Sequence, residues 1–125
     1  MNEEQRNFSQ RVETIESAYE FMLAYAAQGR DTDEISTNGP PIRSVLADLS
    51  SSLDGLSNSI IDIEQGSVVR EFADTLDADA VHARRAVELV ISRQGISSQI
   101  IDNLNATIHL RSVLTDLFLI DEAMK

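Results

Sequence analysis

Cysteine is absent from this chain of 125 residues, which removes disulfides, thiolate metal sites and cysteine nucleophiles together. Tryptophan is missing as well, and there are only two prolines and five glycines. The β-branched and aromatic clusters that mark strands do not occur. No apolar run is long: the longest, Leu117 to Ile120, is far short of the roughly 20 residues that span a bilayer. Basic residues are scarce, with 10 Lys and Arg against 21 Asp and Glu, for a formal net charge of −11. Sequence-independent nucleic-acid binding relies on Lys and Arg to neutralise phosphates, and an anionic membrane surface makes the same demand. Neither nucleic acid nor membrane is therefore an expected partner, whereas basic or neutral proteins and cations remain compatible. The opening Met-Asn-Glu-Glu-Gln-Arg is acidic instead of basic and apolar, so the expectation is a cytoplasmic protein without a secretory signal.

What the chain does contain is helical periodicity. Apolar residues at 42% and charged residues at 25% are ordinary globular values and suit a single domain over residues 1–125. Asn2 and Gln5 form the pattern of a capping box ahead of Phe8, Val12, Ile15, Tyr19, Met22 and Ala26, predicting a first helix over 3–28 with Gly29 as its stop. Residues 30–39 read as a flexible acidic loop. Asp31, Asp33 and Asn38-Gly39 within it lack the spacing of a calcium loop.

After Gly39-Pro40-Pro41, with Pro41 as first helical residue, a heptad seam of Ile42, Leu46, Leu49, Leu53, Leu56, Ile60 and Ile63 predicts a second helix over 41–64. Gly55 is the expected position of a bend. Ser67 is the expected cap of a third helix over 68–94, whose stripe runs Val69, Ala73, Leu76, Ala80, Ala83, Val87 and Val90. Arg84, Arg85, Glu88 and Asp77 on the same helix read as a solvated mixed-charge face. Gly95 and Ser97 separate it from a fourth helix over 97–123. Helices of similar length predict an all-α fold, an antiparallel four-helix bundle in up-down-up-down order.

The fourth helix is unusual. On a wheel at roughly 100° per residue, Ile101, Leu104, Ile108, Phe118 and Leu119 form one apolar arc. Leu110, Val113, Leu114, Leu117 and Ile120 form a second. Between them runs a polar ridge, Asp102, Asn105, His109, Ser112 and Asp116, that reads as the water face. A helix apolar on two arcs needs cover on both. The expected interface is therefore Leu110, Val113, Leu114, Leu117, Phe118 and Ile120, meeting a second copy of the chain, with a dimer favoured, or another protein.

Two chemistries are the alternatives. Four-helix bundles house metals between inward carboxylates and histidines, and Glu16, Glu20, Asp79, His82 and His109 are the candidate ligands. Glu-x-x-His pairs are absent, and the bland reading is an acidic water face with a local Asp79–His82 pair. Asp79 flanks the core stripe, so it needs a partner, His82 or an arginine. His109 beside Arg111 suggests phosphotransfer through an exposed histidine, without the Lys-Gly that follows the histidine in such modules. No cofactor is expected. The leading expectation is a non-enzymatic interaction or assembly module that associates through its last helix.

Overall fold

The computed structural model describes residues 2–34, 41–63 and 66–123, and every regular element among them is an α-helix. In chain order these are α1 (Glu3–Ala26), α2 (Ile42–Leu53), α3 (Leu56–Ile63), α4 (Ser67–Ile91), α5 (Ser98–Ala106) and α6 (Ile108–Ala123). The fold is all-α, with two of the expected helices each divided in two. α1 and α4 each pack against both α2–α3 and α5–α6. One core joins Ile15, Met22, Leu46, Leu49, Leu56, Ile60, Leu76, Val87, Ile101 and Leu110.

α1 begins as its sequence dictates: Gln5 N–H donates to Asn2 Oδ1 at 2.8 Å, and Asn2 N–H donates to Gln5 Oε1 at 3.0 Å. Its buried residues are Ile15, Ala18, Met22 and Tyr25. The core face is thus rotated from the expected stripe, leaving Phe8, Val12 and Tyr19 half-buried at its edge. The rotation follows from packing on both sides, since α2 and α5 both lie against α1.

The bend expected at Gly55 is a full break. Asp54 is extended (ψ 117°) and Gly55 takes φ +74°, a left-handed conformation that costs an L side chain roughly 1–2 kcal/mol. The seam survives it: Ile42, Leu46, Leu49, Leu53, Leu56 and Ile60 are all buried, while the side chain of Ile63 lies outside the described ones. Carbonyls released at a helix end need donors. Arg11 of α1 supplies them, its Nη1 reaching Ser52 O at 3.1 Å and Asp54 O at 2.6 Å.

Pro41 caps α2 instead of starting it, and Gly66, not Ser67, caps α4. Ala73, Leu76, Ala80, Ala83, Val87 and Val90 are buried as expected. The mixed-charge face of α4 is not simply solvated. Ser57 Oγ donates to Asp77 at 3.0 Å, Ser50 Oγ donates to Glu88, Arg84 Nε donates to Ser50 Oγ at 3.2 Å, and Arg84 pairs with Asp54 at 3.5 Å. Buried serines on α2 and α3 have drawn these long polar side chains across the helix interface, because a buried hydroxyl needs a partner.

The second break falls at Thr107, extended at φ −65° and ψ 144°. Thr107 Oγ1 donates to Leu104 O at 2.8 Å, closing off α5. α5 and α6 therefore have separate phases: the arc of Leu110, Val113, Leu114, Leu117 and Ile120 is the buried face of α6 as read, but Ile101 and Leu104 are buried and do not share a face with the exposed Ile108, Phe118 and Leu119. Asn105, expected in water, is buried with Nδ2 donating to Met22 O at 3.1 Å. His109, Ser112 and Asp116 are half-buried.

Residues 30–34 are pinned, contrary to the flexible loop expected over 30–39; residues 35–39 lie outside the described ones. Ser98 N–H donates to Arg30 O and Arg30 N–H to Ser98 Oγ, both at 2.8 Å. Asp33 pairs with Arg43 at 2.8 Å and accepts from Ile96 N–H at 2.9 Å. Arg43 also donates to the carbonyls of Ile91, Arg93 and Gln94. Burial raises the Asp33 carboxyl, but the Ile96 N–H and then Arg43 hold it below the usual carboxylate value.

A carboxyl so lowered stabilises the fold above its unfolded pKa of about 3.9, and that stability is lost as pH falls through the folded value. Asp33→Ala is expected to cost about 1–3 kcal/mol at neutral pH. Urea unfolding should show the loss shrinking below pH 4, and a difference that does not shrink on acidification counts against the pairing.

Candidate functional site

The helices bring together some of the sequence-derived candidates and part others. Asp79 and His82 of α4 face His109 and Asp116 of α6, because these helices pack along their length. The histidine rings meet edge to face, with centroids 5.3 Å apart and planes inclined at 61°. Where the sequence suggested His82 or an arginine, Asp79 finds a hydrogen-bond partner in Asp116. Burial first, and then the hydrogen bond and charge of Asp79, push the Asp116 carboxyl up to about 7. One oxygen, Asp116 Oδ2, is buried and meets no donor among the described residues. With a second carboxyl beside it, Asp116 keeps its proton more readily than it takes up a charge.

Glu16 and Glu20 stand apart, exposed on α1. Among the described residues no three His, Asp or Glu side chains are grouped as a metal ion would require. His109 is half-buried against the ring of His82, not presented alone to solvent as the phosphotransfer idea assumed.

The expected interface divides in the same way. Leu110, Val113, Leu114, Leu117 and Ile120 are all buried in the chain's own core, so the cover assigned to a second chain is supplied internally. Phe118 is different. It is 61% exposed, and Ile108 and Leu119 are 70% and 57% exposed on the same helix. The apolar surface of α6 is therefore the arc that carries Phe118, not the one that carries Leu110.

Phe118 borders a groove between α6 and α1. Phe8, Val12, Leu117 and Phe118 supply its apolar lining and Ser9, Glu13, Glu16 and Asp121 its polar one, around a volume of about 390 Å³. Phe8 and Val12 were legible as core positions only. Their place at a groove edge follows from the rotation of α1, which its own periodicity does not reveal. Among the described residues no helix is long and apolar enough to cross a membrane.

No protein-family model matches the chain, and no curated protein and no solved structure does either.

The Asp79–Asp116 pair has a measurable signature. Between the unfolded carboxylate pKa near 3.9 and about 7, the folded Asp116 holds a proton that the unfolded chain has released, so stability falls as pH rises through that window. Asp116→Asn, which cannot ionise, is expected to raise the melting temperature relative to the parent at pH 8, with the gain diminishing toward pH 4. Thermal scans at both pH values check this, and an equal effect at both would show that Asp116 titrates normally.

Proposed function

We propose that this chain is a non-catalytic interaction module that docks a protein partner on the surface formed by α6 and α1. The carrying observation is Phe118, a large aromatic side chain left 61% exposed at the edge of the groove it shares with Phe8 and Val12. Exposed large apolar side chains grouped on one element mark interaction surfaces more often than those scattered singly. Aromatic residues are also the commonest anchors of binding energy. Ile108 and Leu119 extend the exposed apolar area along the same helix.

In this reading the six helices act as four antiparallel legs in up-down-up-down order. α1 and α4 are unbroken, and α2–α3 and α5–α6 each form one leg with a break. The packing of α1 and of α4 against both broken legs supports that order. A rigid bundle of this kind presents a side chain at a fixed place and orientation, which lowers the entropic cost of binding.

Photo-crosslinking in the producing cells tests the reading. A benzophenone amino acid replacing Phe118 should yield a discrete adduct, and the same group replacing the exposed Asp74 on α4 should not. The mass of the adduct tells a second copy of the chain from a different protein. Absence of any adduct from position 118, in protein that retains its helical spectrum, would overturn the reading.

A further inference from the structure

From the groove's lining and its charge we infer that its occupant is a cationic amphipathic helix of another protein. This inference rests on the docking reading above and specifies the partner's chemistry. Phe8, Val12, Tyr19 and Leu23 lie on one edge of α1 at spacings of four and seven residues, the first three half-buried and Leu23 48% exposed. The stripe is roughly 22 Å long at 1.5 Å per residue, about four turns of a partner helix. Phe118 and Leu117 stand across from its N-terminal half. Tyr19 and Leu23 continue the stripe beyond the groove, and a groove so continued by an apolar helix edge takes a helix through anchors spaced three, four and seven residues apart.

Charge selects the sign of the partner. Glu13, Glu16 and Glu20 follow one another at spacings of three and four residues, so they form a ridge beside the apolar stripe, all exposed. Asp121 lies on the α6 side of the groove. With a net charge of −11 over the chain, Lys or Arg flanking the partner's anchors would be attracted, and an acidic helix repelled. The same argument disfavours a second copy of this chain, which would bring one acidic ridge against another.

The test uses three synthetic amphipathic peptides of roughly 18 residues, five helical turns. All carry the same leucine face, and the polar face is lysine, glutamine or glutamate. Binding to the full chain is read by calorimetry at low and high salt. The lysine peptide should bind best, and raised salt should weaken it because the charges are exposed. Phe118→Ser should weaken it about tenfold or more, as removal of an anchor does. Glu13→Gln with Glu16→Gln, both in the groove lining, should weaken it more than Glu71→Gln with Asp74→Asn, an equal change of charge outside the groove. Helical spectra of each variant establish that it folds.

Equal affinity for the lysine and glutamine peptides would overturn the inference. So would a lysine peptide indifferent to Phe118→Ser, since that is attraction to net charge alone. Uptake of no peptide, alongside an adduct from position 118, would reject the partner class and leave the docking reading standing. An adduct of two copies of this chain would do the same.

Discussion

Backbone carbonyls left open where helices stop inside the fold are the constraint on which this structure turns. A helix ending in solvent can leave its last carbonyls to water, but one ending against other helices must find donors in the protein. Here long side chains from distant segments supply them. Arg11 of α1 closes the end of α2, and Arg43 of α2 gathers the carbonyls that follow α4. Ser98 donates to Tyr25 O at the end of α1 at 2.7 Å, and the Tyr25 hydroxyl donates to Ile96 O at 2.6 Å. Each is a contact between parts of the chain far apart in sequence, so these helix ends also tie the fold together.

The α4–α6 interface runs the other way. Where the helix ends are matched with donors, Asp116 carries a buried oxygen that meets none among the described residues, beside a second carboxyl. Its proton takes the place of a donor, at a cost in stability that grows as pH rises from the unfolded carboxylate value toward about 7. On the same interface His82 and His109 meet by ring contact. A polar seam between two helices that otherwise pack through Ala, Val and Leu limits how they can slide, because any shift in register would bury one of these groups against hydrocarbon.

The surface reading follows from the same packing. α6 buries Leu110, Val113, Leu114, Leu117 and Ile120, which uses up one arc and leaves Phe118, Leu119 and Ile108 in water. α1 is held from two sides and turns Phe8 and Val12 toward Phe118. The apolar area is therefore joined across two helices, and the acidic ridge on α1 borders it. Affinity at such a surface comes from a few anchored side chains, and the charge around them sets which partners approach.

Local rules carried much of this protein. The Asn2–Gln5 capping box, the stop near Gly29, a deviation at Gly55 and the buried seam from Ile42 to Ile60 were legible in the sequence, because capping, glycine conformation and periodicity act within a few residues; that Gly55 breaks the helix instead of bending it was not. The all-helical class was legible too. The break at Thr107 was not, since no glycine or proline marks it, and with it went the arc that joined Ile101 and Leu104 to Ile108, Phe118 and Leu119. The candidate site was legible as residue types alone: Asp79, His82 and His109 stood out, but only the packing of α4 on α6 could pair Asp79 with Asp116 and part them from Glu16 and Glu20. The sequence by itself determined which segments are helical and which faces are apolar. Tertiary structure alone decided which apolar arc is spent on the core and which is left to meet a partner, because burial depends on where neighbouring helices stand and not on the helix that bears the residues.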